Sequence, residues 1–180
     1  SKENRGQKLI YYIADTHFGD ERVRSHAGRP FASVEEMDKK LCDMWNKKVR
    51  ENDTVYIVGD FAFDDITVKK TLSLLNGHKH LILGNHDRLS IKSLNLFESV
   101  NQIVTISDDG RSVCLCHYPL LSYENSIYGG YHIFGHIHNN EADVAFDIVK
   151  NIPHIYNCGV DVNGFEPISL DELIRSNECS

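Results

Sequence analysis

An α/β fold is what this chain predicts, and three observations carry the prediction. Five short apolar runs each end in polar residues able to do chemistry. Helical spacing of apolar residues separates the earlier runs, and the later runs follow one another with little but turn signals between them. Strands that end this way deliver side chains to the rim of a sheet, where open α/β folds bind their ligands.

The runs are Ile10 to Ala14 into Asp15-Thr16-His17, Val55 to Gly59 into Asp60, Leu81 to Gly84 into Asn85-His86-Asp87, Val113 to Cys116 into His117, and Tyr131 to Gly135 into His136-Ile137-His138. Residues 1 to 7 read as a mobile leader. The first strand covers about Lys8 to Ala14; positions i and i+2 of extended backbone point the same way, so Asp15 and His17 could meet one ion. The loop from Asp20 to Ser33 reads as a solvated connection, from which Arg22 or Arg29 could contact a substrate phosphate.

From Val34 to about Arg50 the residues Val34, Met37, Leu41, Met44, Trp45 and Val49 recur at helical spacing, with Ser33 and Glu36 forming a capping box. Trp45 reads as core. The second strand spans Thr54 to Gly59, and a helix from about Asp65 to Leu75 closes at Asn76-Gly77. His78 and His80 have metal-like spacing but enter the third strand from the end opposite its polar turn, so they read as solvated. A short helix is expected within Ser90 to Phe97. Val100 to Ser107 and Ser112 to Cys116 read as a hairpin around Asp108-Asp109-Gly110. Ala142 to Val149 and His154 to Val162 read as further strands. Ser169 to Arg175 reads as a final helix, with Ser169 as cap and Glu172 three residues on.

At 180 residues the chain has room for one domain with a sizeable core, so residues 1 to 180 are read as a single domain. No apolar run reaches bilayer length and Ser1 to Gln7 lacks a signal peptide's apolar core, from which a cytoplasmic protein without membrane partners is expected. Five cysteines without a secretory signal argue for reduced thiols. A net charge of −7 argues against a stable nucleic-acid complex held through a broad basic surface. It leaves a small phosphate substrate open, because two divalent ions outweigh two aspartates locally.

Pooled, the strand ends supply Asp15, His17, Asp60, Asn85, His86, His117, His136 and His138. Five of the chain's ten histidines lie among them, which favours a site over scattered surface residues. Mixed imidazole and carboxylate donors suit Mn²⁺, Fe, Zn²⁺, Co²⁺ or Ni²⁺. The donors outnumber the three or four that one catalytic ion takes, so two ions are implied, bridged by one aspartate.

The blocks Asp15-x-His17, Gly59-Asp60, Gly84-Asn85-His86-Asp87, His117 and Gly135-His136-Ile137-His138 resemble the five-block signature of the calcineurin-like metallophosphoesterases, in the family's order and across positions 15 to 138. The resemblance implies a four-layer α/β/β/α sandwich with two mixed sheets and a dinuclear centre at its edge. It places Asp15, His17 and His138 on one ion, Asn85, His117 and His136 on the other, and Asp60 between them, with Mn²⁺ first among the candidate metals. His86 would stand beside the substrate as a proton donor oriented by Asp87. Serine/threonine phosphatases carry arginine after the second block and glutamate after the Asn-His pair; Phe61-Ala62-Phe63-Asp64 and Asp87 speak against that branch. Gly19-Asp20, Arg29-Pro30-Phe31 and Ser33-Val34-Glu35-Glu36-Met37 are similar to small bacterial and phage phosphoesterases, many of which carry histidine where this chain has Asp20.

The activity implied is hydrolysis of a small phosphodiester, such as a nucleotide or cyclic nucleotide, by hydroxide generated at the metal pair. A phosphomonoesterase with the same centre and a scaffold without catalysis are the alternatives. Oligomeric state is not encoded in any feature of the sequence.

Overall fold

The computed structural model describes residues 8–178; the leader expected over residues 1–7 lies outside them. Two four-stranded sheets are stacked face to face. The first runs β1 (Ile10–Ile13), β2 (Thr54–Val58), β3 (His78–Ile82) and β4 (Ser99–Asn101), all paired in parallel, with an antiparallel bridge from Tyr12 to Ile168. The second runs β5 (Ile103–Asp108), β6 (Arg111–Cys116), β7 (Tyr131–Phe134) and β8 (Ile155–Asn157). There β5 and β6 form the expected hairpin and the other pairs are parallel. The fold is the sandwich that the motif blocks imply.

Strand pleating sorts the side chains into layers. Tyr11, Ile13, Val55, Ile57 and Leu81 pack with Met37, Leu41 and Trp45 of α2 (Val34–Lys48) and with Val68 and Leu72 of α3 (Asp65–Leu72). Their neighbours Tyr12, Val58 and Ile82 turn the other way, against Val113, Leu115, Ile133 and Tyr156 of the second sheet. Trp45 is wholly buried and donates its indole N–H to the Asn76 carbonyl at 3.0 Å, so truncating it to alanine would cost about 3–5 kcal/mol. Ser33 caps α2 through Glu36 N–H. Ser169 and Glu172 exchange bonds in a full capping box at the start of α5 (Leu170–Glu178).

Five expectations change. The apolar stretch expected as a strand over Val100 to Ser107 is two strands in different sheets, separated by Gln102 alone. Ala142 to Val149 is not a strand. It ends in the short helix α4 (Phe146–Val149), because the residues that find the core, Phe146 and Val149, are three apart while Val144 is left exposed. His154 to Val162 pairs as a strand only over Ile155–Asn157, with a single bridge from Gly159 to Ala14 beyond it. The loop after Gly19 contains a helix, α1 (Glu21–His26), capped by Asp20. The helix expected within Ser90 to Phe97 is a 3-10 turn over Leu89–Leu94.

The two sheets are joined along both edges. At one edge the chain passes directly from β4 to β5. At the other, Ala14 N–H donates to the Cys158 carbonyl and the Ala14 carbonyl accepts from Val160 N–H, both at 3.1 Å. Cys42, Cys114, Cys116 and Cys158 are free thiols. Among the described residues, no helix is long and apolar enough to cross a membrane.

Candidate metal centre

The polar residues lie just past the carboxyl ends of β1, β2, β3, β6 and β7, and the two sheets bring them to one edge of the sandwich. The chain does not reach this edge as extended strand. Asp15, His17, Asp60, His136 and His138 all hold left-handed backbone, with φ of 57°, 48°, 54°, 71° and 50°. The same-face argument for Asp15 and His17 therefore fails, although the two side chains do converge. Such conformations cost about 1–3 kcal/mol each and persist where the surroundings enforce them. Here Asp15 N–H donates to the Gly59 carbonyl and His17 N–H to the Asp60 carbonyl, both at 3.0 Å. Gly84 permits the close approach of the third loop: a Cβ on it would lie 2.2 Å from Asp60 Oδ1.

One donor atom each from Asp15, His17 and His138 fall within 4.8 Å of one another, and so do those of Asp15, Asp60 and His117. Asp60 Oδ2 stands 3.5 Å from His17 Nε2 and 3.4 Å from His117 Nε2, between residues of the two sheets. Asn85 Oδ1 lies 3.0 Å from His117 Nε2 and 3.0 Å from His136 Nδ1. His117 spends Nδ1 on the Val58 carbonyl at 2.9 Å, which leaves Nε2 to face the cluster.

Electrostatics ask for positive charge at this spot. Burial pushes Asp15 up to about 6. Burial would raise Asp60 as well, but the His117 hydrogen bond and charge outweigh it and hold the carboxyl at about 2. The same pairing overcomes desolvation at His117 and raises it to about 9, so with protein groups alone a proton on His117 answers the carboxylates. Burial drives His17 down to about 3, keeping it neutral. Its Nε2 is buried with no hydrogen-bond partner, an arrangement that a bound cation would satisfy. No lysine or arginine of the described residues pairs with Asp15 or Asp60. Imidazoles, two carboxylates and an amide oxygen around one gap fit a pair of divalent ions, which would take the place of the proton on His117.

Asp15, His17, Asp60 and His117 are buried, His136 and His138 are partly covered, and Asn85 and His86 face solvent. The site is thus open on the Asn85 side. His86 sets its ring 5.3 Å from that of His17, edge to face, and its backbone N–H on Asp60 Oδ1 at 2.8 Å.

Two expected roles are corrected. Asp87 does not orient His86: its carboxylate accepts the backbone N–H groups of Asp60, Phe61 and Gly84 at 2.8, 2.9 and 2.8 Å, clipping two loops together. Arg29 is not available to substrate, because its guanidinium is fully buried on Asp161 and on the carbonyls of Asp15 and Thr16. Arg22, the other expected phosphate contact, is exposed, with its guanidinium over Phe63 and its Nε 3.6 Å from Asp20 Oδ1. Asp20 itself is buried as the cap of α1. His78 and His80 pair with Glu98 and Ser99, away from the centre as expected.

One residue of the centre escaped sequence reading. Asp161 Oδ2 lies 2.6 Å from His138 Nδ1, with its side chain 2% exposed. The available signal was a lone carboxylate inside the apolar run Gly159-Val160-Asp161-Val162.

No family model matches the chain. An uncharacterized protein of Methanocaldococcus jannaschii, MJ1445, is 35% identical over 171 residues, 93% of this chain and 90% of that protein. The gene 66 protein of Mycobacterium phage D29 is 34% identical over 83 residues, 44% of this chain and 40% of its own length. Among solved structures, a protein of unknown function from Aquifex aeolicus, AQ665, superposes with a TM-score of 0.76 at 23% identity, covering 94% of this chain and all of that one. That likeness concerns the fold.

Proposed function

We propose that this chain, which is in one family with MJ1445, is a calcineurin-like metallophosphoesterase: a dinuclear metal-dependent phosphoesterase acting on a small phosphodiester. The observation that carries the proposal is the position of Asp60 Oδ2, within 3.5 Å of imidazole nitrogens from both sheets and beside an unpartnered His17 Nε2. Asp15, His17 and His138 would hold one ion, Asn85, His117 and His136 the other, with Asp60 between them and Asp15 within reach of both groups. When bound, such a pair supplies the charge that makes water a nucleophile at neutral pH and steadies phosphate oxygens for in-line displacement.

The protein's own part is orientation and proton transfer. Val58 fixes the His117 tautomer, and Asp87 and Gly84 hold the Asp60 and Asn85 loops in register. His86, on the open side, would give a proton to the leaving oxygen. Clefts of about 590 Å³ beside His138 and about 410 Å³ beside Gly84 and Tyr118 offer room for an ester next to the centre.

The test is elemental analysis of the purified chain, followed by assay of bis(p-nitrophenyl) phosphate, p-nitrophenyl phosphate and 2′,3′-cyclic nucleotides with added Mn²⁺. Two ions per chain and faster turnover of the diesters are expected. Preference for the monoester would make it a phosphatase, and silence on the whole panel would leave a binding scaffold.

A further inference from the structure

We infer that Asp161 is a positioning residue of the metal centre, and that it works with Arg29 to fix which ring nitrogen His138 presents to the ion shared with Asp15 and His17. The inference rests on the metal-centre reading above.

Three contacts from two residues converge on this carboxylate. Its Oδ2 meets His138 Nδ1 at 2.6 Å, while Arg29 Nε and Nη2 reach Oδ1 and Oδ2 at 2.8 and 2.9 Å. A bidentate guanidinium neutralises the buried charge and fixes its plane, so Oδ2 becomes a directional acceptor. With Nδ1 turned to Asp161, Nε2 is the nitrogen left to face the cluster, as Val58 arranges for His117.

Arg29 extends the effect past His138. Its Nη1 and Nη2 donate to the Thr16 and Asp15 carbonyls at 3.0 and 2.6 Å, so one ion pair braces the backbone of Asp15 and the ring of His138 together. The backbone of His138 is held from the same segment: its carbonyl accepts Asn157 Nδ2 at 3.0 Å, and Asn157 Oδ1 accepts Gly159 N–H at 2.8 Å. A purely structural ion pair would account for Arg29 but would not need the short contact to His138.

Zn²⁺ titration of the ¹⁵N-histidine-labelled chain, followed by two-bond ¹H–¹⁵N correlation spectra, tests this directly. The proton of His138 should stay on Nδ1 while Nε2 shifts on metal binding. The isosteric change Asp161→Asn, with a wild-type circular dichroism spectrum, should weaken the tighter Zn²⁺ site 10- to 100-fold. It should lower kcat more than it raises KM for bis(p-nitrophenyl) phosphate. If His17 and His117 respond to Zn²⁺ but His138 carries its proton on Nε2, this inference fails and the centre stands. Unchanged Zn²⁺ affinity in the folded variant also overturns it. If no histidine responds, the metal centre falls and this inference with it. The wild-type spectra decide the tautomer even if the variant does not fold.

Discussion

The two halves of the centre are built differently. The half made by Asp15, His17 and His138 is backed by the buried Arg29–Asp161 pair, and its donors are held by backbone on more than one side. The half made by Asn85, His117 and His136 has only His117 deeply set. Asn85 is exposed, and its amide oxygen is the polar contact that both histidines share. One half is preorganised and the other accessible. On the proposed function, metal affinity would gain from the first property and substrate access from the second, so a division between the halves would let one small edge supply both.

The largest effect should come from the residue that spans the halves. Asp60→Asn removes a charge that faces both imidazole sets, and metal content by elemental analysis should fall below one ion per chain. Turnover should drop by more than the 10- to 100-fold typical of outer partners of a metal site. If two ions remain tightly bound, Asp60 does not join the halves.

Separate truncations would sharpen the contrast. His136→Ala should leave one ion that survives dialysis, because the braced half is untouched. His17→Ala should leave the chain without a dialysis-resistant ion. Equal retention by both variants would erase the difference in preorganisation. His86→Ala comes next. Two ions should remain while kcat falls about 10²-fold, more for alkyl than for nitrophenyl leaving groups, as measured across an ester series. Loss of an ion instead would move His86 into the ligand set.

Arg22→Ala should do least. Its side chain is 70% exposed, so stability should move by no more than about 0.5 kcal/mol and kcat/KM by about twofold in a steady-state assay. A tenfold loss would bear out the substrate contact expected of Arg22.

Residues carried by local signals were legible. Each strand end paired an apolar run with a polar turn, so Asp15, His17, Asp60, Asn85, His117, His136 and His138 could be named without coordinates. The alternation of the core likewise told which element was strand and which was helix over most of the chain. What escaped depends on distant partners. The bond between Arg29 and Asp161 closes across 132 residues, and neither neighbourhood announces it. Arg29 followed a site-proximal loop and so read as a phosphate contact, yet burial sent it inward to free carbonyls left by the left-handed turn. Asp87 beside His86 suggested a dyad, but three backbone N–H groups within reach were stronger claimants. The switch at Gln102 was hidden because an unbroken apolar stretch looks the same whether it serves one sheet or two.

The lacing of both sheet edges governs what the proposed pair of ions can do. With a single residue joining β4 to β5 on one flank and the Ala14 hydrogen bonds closing the other, the walls carrying the donors are tied together at both edges. If the frame holds these donors at fixed spacing, a change of metal would be met by the solvent or substrate oxygens around it rather than by the protein's own ligands. Exchange of one metal for another should alter turnover more readily than it alters shape.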